Sequence, residues 1–305
     1  MAVKNLKGKK IGVLMGGLSE ERKISLKTGA AILKALGERG YRAVAIDAGR
    51  DLAAVLVKGK IEVAFIALHG RYGEDGCVQG LLEVMSIPYT GSGVRASSVA
   101  MDKVSTKKML IFNGISTPDF TALAEGKKTP SVKLPFVVKP ASQGSAIGVS
   151  IVKKRSDLAG AIKEAARHGG AVMVEKYIEG RELTVSILDG KALPIIEIRP
   201  REGFYDYTNK YTKGKTDFLA PAKLKRPTRK RVEKEALGAY RALGCSGAAR
   251  VDVMLGGKET PFVLEVNTIP GMTELSLFPR AAAEAGLDYP ALVEKMLLGA
   301  RVDKF

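Results

Sequence analysis

A chain of 305 residues, 46% apolar and 27% charged, has the length for two to three α/β domains and the composition of an ordinary folded enzyme, which excludes disordered, fibrous and collagenous classes. No apolar run reaches the roughly 18 uncharged residues a membrane span needs, and Met1 to Lys10 lacks a signal peptide's apolar stretch, so a cytoplasmic protein without a membrane partner is expected. The formal charge of +17 comes from basic residues spread from Lys4 to Lys304 with no nucleic-acid-binding signature, which points to a solvated surface compatible with small anions and to no nucleic-acid partner.

Lys9 to Gly17 contains IGVLMGG and reads as a buried strand, followed by Ser19, placed to cap a helix whose apolar positions are Ile24, Ala31, Leu33 and Leu36. Strands at Tyr41 to Asp47 and Ile61 to Leu68 follow, so the first hundred residues are expected to form a parallel α/β layer. The run HGRYGEDG, His69 to Gly76, begins where the third strand stops, at the end of a parallel sheet where ligands gather. A helix over Lys103 to Phe112, a polar stretch to Pro130, strands at Leu134 to Lys139, Gly148 to Lys153 and Val172 to Tyr177, and a helix from Ser156 to His168 suggest a small separate domain. Beyond Arg181 strands dominate, at Glu182 to Leu188, Ala192 to Ile198, Ala248 to Leu255 and Phe262 to Asn267, around a helix from Thr228 to Leu243. Antiparallel pairing is expected there. The polar, tyrosine-rich segment 200–221 has the length of a lid or binding loop. Cys77 and Cys245 stand far apart and in no CxxC spacing, so they read as reduced packing residues.

Three local patterns suggest chemistry. Glu265 and Asn267 are two apart in an apolar strand and project from one face. With Asp252, two residues after Arg250 on another strand, they supply the hard oxygens that Mg²⁺ selects beside nucleotide phosphates. Around Lys139 an apolar strand ends in a lysine and is followed by a loop with Gly144, Ser145 and Gly148, able to bring backbone N–H groups close to phosphate oxygens. Val174 to Glu182 joins two strands, where a hinge can offer backbone groups to a base edge and Glu182 to ribose hydroxyls.

Eight ordered motifs then carry a resemblance over essentially the whole chain: GGLSEERKIS at 16–25, LHGRYGEDG at 68–76, MDK at 101–103, VVKPASQGS at 137–145, EKYIEGRELTV at 175–185, FYDYTNKYTKGKT at 204–216, ARVDVML at 249–255 and LEVNTIPGMTELSLFP at 264–279. The sequence resembles the D-alanine–D-alanine ligase family of the ATP-grasp superfamily. The resemblance implies an α/β fold with a parallel N-terminal domain (1–102), a small α+β central domain (103–180) and an α+β C-terminal domain with a largely antiparallel sheet (181–305), carrying a lid at 200–221.

It also implies ATP-dependent joining of two D-alanine molecules through D-alanyl phosphate, for peptidoglycan precursor synthesis. By the matching positions, Lys103, Lys139 and Lys210 would hold phosphates, with Ser145 at the phosphate loop. Glu175, Lys176 and Ile178 would form the adenine hinge, Glu182 would accept from ribose, and Asp252, Glu265 and Asn267 would hold two Mg²⁺ (or Mn²⁺) ions. Glu21 and His69 would bind the first substrate's ammonium and carboxylate, and Ser276 with the Leu277 backbone the second carboxylate. Arg250 and the Gly271 N–H would stabilise the tetrahedral oxyanion, and Glu21, Ser145 and Tyr211 would tie the N-terminal domain to the lid. Tyr211 is the lid pattern of dipeptide-forming ligases rather than of those using D-lactate. Ala146 stands where many relatives have a second serine, which removes a side-chain phosphate contact. A homodimer is implied by the family alone.

Overall fold

The computed structural model describes residues 6–123, 132–144, 146–201, 214–273 and 276–304. The first layer is a parallel sheet of β1 (Ile11–Met15), β2 (Ala43–Asp47) and β3 (Val63–Ile66), in the order β2-β1-β3. Its side chains alternate between two cores, as a twofold strand period requires when both faces are covered. Ile11, Val13, Met15, Val63 and Phe65 join one cluster, while Leu14, Ala64 and Ile66 join the other. The first face is covered by α1 (Arg22–Glu38) and the second by α2 (Leu52–Lys58) and α3 (Cys77–Val84), whose Leu52, Leu56, Val78 and Leu82 lie in the second cluster.

Two details of this layer differ from the sequence expectation. The helix begins at Arg22 with Glu21 at its N-cap, and Ser19 does not cap it. Its hydroxyl instead donates to the His69 carbonyl at 2.6 Å and accepts from the Glu21 N–H at 3.2 Å, fastening the first loop to the third strand's end. The buried stripe is Ser25, Thr28, Gly29, Ile32, Ala35 and Leu36, so Ile24, Ala31 and Leu33 sit only at its margin. Small and hydroxyl-bearing residues form that stripe because the helix packs close to the sheet: a Cβ at Gly29 would come within 2.2 Å of Met15 Cε.

After α4 (Val94–Met101), α5 spans Lys103–Phe112, started by Asp102, whose carboxylate accepts from the Ser105 N–H at 2.8 Å. The second sheet is antiparallel, in the order β4-β7-β5-β6, from β4 (Phe120–Leu123), β5 (Phe136–Pro140), β6 (Ser150–Val152) and β7 (Val172–Lys176). It is backed by α6 (Leu158–Ala166), shorter than the expected helix because Arg155–Asp157 form a separate 3₁₀ turn. Strand β4 lies inside what reads as a polar stretch; it is short and stands at the sheet edge, where few apolar residues suffice.

The third sheet is antiparallel too: β11 (Thr216–Leu219), β10 (Ile196–Pro200), β8 (Arg181–Leu188), β12 (Ala248–Gly256) and β13 (Thr260–Asn267), with β9 (Lys191–Ala192) pairing on β8. The single strand expected over Ala192 to Ile198 is therefore two, broken around Pro194, which lacks a ladder donor. The 200–221 loop is also shorter than expected, since β10 runs to Pro200 and β11 pairs back onto it with Arg199 opposite Asp217. Residues 202–213 of that segment lie outside the described residues. Helix α7 (Arg226–Ala242) covers this sheet, and α8 (Leu277–Glu284) and α9 (Tyr289–Leu298) return to the first layer. There Phe278, Leu292, Val293 and Leu297 share a core with Ile11, Ile32 and Phe65. None of the described helices is long and apolar enough to cross a membrane.

Where β8 begins, a Cβ at Gly180 would lie 2.0 Å from the Leu255 carbonyl oxygen, a backbone atom that no rotamer change can move. Gly180→Ala is expected to lower stability by roughly 1–3 kcal/mol, measurable by urea unfolding, because the strand pair must separate to admit the methyl.

Candidate active site

Across β8 and β12 the third sheet has an apolar face and a largely polar one. Leu183, Val185, Ile187, Ala249, Val251, Val253 and Leu255 are buried in the core under α7. The alternate positions on β8 and β12 put Thr184 opposite Asp252 and Ser186 opposite Arg250. On the other side of β12, Asp252 pairs with Glu265 and Arg250 with Asn267. The register shifts after Asp252, from Asp252 opposite Glu265 to Val253 opposite Val263, leaving Leu264 as an extra residue. This bulge turns Val263 and Val266, three apart, into the core while Glu265 and Asn267 remain on the polar face.

The polar groups on this face engage one another. Arg250 donates to Asp252 through Nε at 2.9 Å and Nη2 at 2.7 Å, and Thr184 Oγ1 donates to Asp252 Oδ1 at 2.7 Å. Both Arg250 and Asp252 side chains are nearly buried, 8% and 13% exposed, so the bidentate pair is shielded from solvent and salt. Asn267 Oδ1 accepts from the Ile269 N–H at 3.0 Å, which fixes the amide's orientation.

One lysine reaches this face, and two more pair beside it in the second layer. Lys103, in the first turn of α5, brings Nζ to 3.2 Å from Glu265 Oε2 and donates to the Gln143 carbonyl at 2.7 Å. Lys139 on β5 ion-pairs with Glu175 on β7, and Lys107, one helical turn beyond Lys103, reaches the other Glu175 oxygen at 2.8 Å. Burial pushes the Glu175 pKa up, but the two ammoniums outweigh it and hold the carboxyl below its ordinary value of 4.5. A carboxylate depressed by folding contributes stability above its unfolded pKa and loses it as pH falls through the folded pKa. The stability gap between the wild type and Glu175→Gln is therefore expected to narrow as pH is lowered below 4.5, followed by urea unfolding at stepped pH.

Glu175 and Lys176 belong to the strand, so the link between β7 and β8 consists of Tyr177 to Gly180 alone. Lys176 is exposed, and the side chain of Ile178 lies against Gly256, where a Cβ would meet its Cγ2 at 2.8 Å. Glu182 is half-buried and pairs in register with Met254. Glu21 stands where the first layer approaches the loop after β5: a Cβ on Gly70 would be 2.9 Å, and one on Gly144 3.3 Å, from Glu21 Oε2. His69 is buried, with Nε2 3.1 Å from Thr28 Oγ1 and Nδ1 3.6 Å from Glu74 Oε1. Gly271 sits against Ser276, whose hydroxyl accepts from the Thr273 N–H at 3.0 Å at the head of α8, where Leu277 is buried. Ser145, Lys210 and Tyr211 lie outside the described residues. Ala146 adopts the left-handed φ of 56°.

Sequence reasoning missed Lys107 and Thr184. Glu182, Thr184 and Ser186 alternate with Leu183, Val185 and Ile187, which was the signal for a polar strand face. Lys107 follows Lys103 by four residues, the spacing that stacks side chains on a helix.

Among the described residues no three His, Cys, Asp or Glu side chains gather as a metal site. The oxygen set on β12 and β13 instead has two carboxylates and an amide, Asp252, Glu265 and Asn267, whose hard donors fit a small divalent cation. Antiparallel sheets presenting buried lysines against carboxylates, behind a parallel first layer, define the ATP-grasp class of enzyme. Residues 96–298 match the family profile of the D-ala D-ala ligase C-terminus, and residues 51–92 that of the D-ala D-ala ligase N-terminus. The chain belongs to the D-alanine–D-alanine ligase family. Similar relatives include the D-alanine–D-alanine ligase of Syntrophotalea carbinolica, 55% identical with 100% of both chains covered, and that of Geotalea uraniireducens, 50% identical with 98% of each covered. The D-alanine–D-alanine ligase from Bacillus anthracis, solved in complex with ATP, is 40% identical and superposes with a TM-score of 0.84, covering 95% of this chain and 96% of that one.

Proposed function

We infer that the chain catalyses ATP-dependent ligation of two D-alanine molecules to D-alanyl-D-alanine, with release of ADP and phosphate, in the cytoplasmic synthesis of peptidoglycan precursors. The observation that carries this reading is the pairing of Asp252 with Glu265 and of Arg250 with Asn267 across one ladder, with Lys103 3.2 Å from Glu265. That grouping supplies fixed cations and, in its carboxylates, ligands for a divalent ion, the two sources of positive charge that phosphoryl transfer draws on.

Lys103, Lys139 and Lys210 would neutralise the triphosphate, with Ser145 beside it. Glu175, Lys176 and Ile178 would line the adenine, and Glu182 would accept from the ribose. Asp252, Glu265 and Asn267 would hold two Mg²⁺ ions, which when bound supply positive charge to the phosphate oxygens. Glu21 would hold the first D-alanine's ammonium and His69 its carboxylate. That carboxylate attacks the γ-phosphorus, the bond to ADP breaks, and the acylphosphate formed has phosphate as its leaving group. The second D-alanine, anchored by Ser276 and the Leu277 N–H, attacks the carbonyl as a free amine. Arg250 and the Gly271 N–H would bind the oxyanion that develops. Closure of the segment that carries Tyr211 and Lys210 would exclude water from the acylphosphate. The division at 1–102, 103–180 and 181–305 and a homodimer belong to the same reading.

The test is phosphate release from ATP with D-alanine or L-alanine, and product mass with D-alanine, D-serine and D-lactate in competition. Turnover with D-alanine and a D-alanyl-D-alanine mass are expected. A rate with D-alanine no higher than without it overturns the assignment.

A further inference from the structure

Lys107 is a buried charge with no role in the ligation just described. It is 0% exposed, and its Nζ donates to Thr117 Oγ1 at 2.7 Å and the Pro118 carbonyl at 3.1 Å, stands 2.8 Å from Glu175 Oε2, and lies 5.6 Å from the centre of the Phe120 ring. Thr117 Oγ1 in turn donates to the Val263 carbonyl at 2.7 Å, which fastens this lysine to the strand bearing Glu265 and Asn267. The second oxygen of Glu175 takes Lys139. One carboxylate thus serves two ammoniums, with Lys139 7% and Glu175 3% exposed. Asp119, which also acts on Lys107, is exposed and water-screened.

The three buried groups sum to one positive charge, and an uncompensated buried cation is costly unless an anion arrives. Two neutral acceptors immobilise Lys107, so the member of the pair able to turn toward an anion is Lys139. Without Lys107, Glu175 and Lys139 would form a closed neutral pair, which an incoming phosphate would have to break. With it, the carboxylate's hold is divided. Burial pushes the Lys107 pKa down to about 8, which leaves it protonated at neutral pH.

We propose that Lys107 is a positioning residue that keeps Lys139 available to the nucleotide's phosphates by competing for the Glu175 carboxylate. The proposal rests on the ligase reading. It is tested on the full chain by calorimetric titration with ADP and Mg²⁺, beside ligation kinetics, for the wild type, Lys107→Gln, Lys107→Met, Glu175→Gln and Lys107→Gln/Glu175→Gln. Lys107→Gln retains donors for Thr117 or Pro118 and guards against loss of the fold, which thermal unfolding monitors. The Kd for ADP is expected to rise about tenfold in both Lys107 variants, the worth of one charge-assisted hydrogen bond, while KM for D-alanine at saturating ATP holds. Measured against Glu175→Gln alone, which carries any effect on the adenine contact, Lys107→Gln is expected to raise the Kd less than about threefold, a coupling that a merely structural lysine would not produce. An unchanged Kd in the Lys107 variants, or a loss from Lys107→Gln as large in the Glu175→Gln background as in the wild type, overturns the proposal while leaving the ligase reading intact. A wild type that neither binds ADP nor ligates D-alanine overturns both.

Discussion

Arg250→Met is expected to lower kcat for dipeptide formation about a hundred- to a thousandfold, the usual cost of removing one donor aimed at a developing oxyanion. The same substitution strips Asp252 of its bidentate partner and leaves Thr184 as the donor on Oδ1. Breaking a buried pair from one side typically costs about 3–5 kcal/mol, because the remaining carboxylate stays desolvated. Arg250→Lys separates the two effects. Its ammonium still faces Asp252 and should recover part of the stability, but a point charge cannot reproduce the planar fork. Recovery of the urea midpoint without recovery of kcat is the expected pattern. A lysine variant with wild-type kcat would show that the guanidinium's geometry is irrelevant to turnover.

The largest loss of stability alone is expected from Phe65→Ala. Phe65 is 0% exposed on β3 and shares a core with Ile11, Ile32, Phe278 and Leu292, so truncation removes a ring from a cluster drawn from both ends of the chain. The cost should be about 3–5 kcal/mol, read from urea unfolding. Phe112 at the end of α5 is the contrast: it is 86% exposed, and Phe112→Ser should stay within about 0.5 kcal/mol. Equal effects at the two positions would contradict the burial pattern.

The parts of the site legible in the sequence are those set by strand parity and by unbroken motifs. Glu265 and Asn267 share a face because they are two apart, and the helix over Lys103 to Phe112 starts where Asp102 caps it. The bulge at Leu264 was not legible, since an extra residue changes only which apolar neighbours turn inward. Nor was the partner of Lys107, because Glu175 lies in another strand and only the packing of α5 against the second sheet joins them. Ser19 misled for a related reason. A serine before a helix is a capping signal by local rules, but the carbonyl of His69, fifty residues on, competes for its hydroxyl. Pro194 is the reverse case, a local rule that would have divided β9 from β10 had it been applied.

The return of α8 and α9 to the first layer bears on how the protein is made. Ile11, Val13, Val63 and Phe65 leave the ribosome long before Leu292, Val293 and Leu297, which cover the same face. The nascent chain must therefore carry a greasy, half-finished slab until those residues are made, and a product cut short before Asp288 would retain that slab uncovered, a target for chaperones and for clumping.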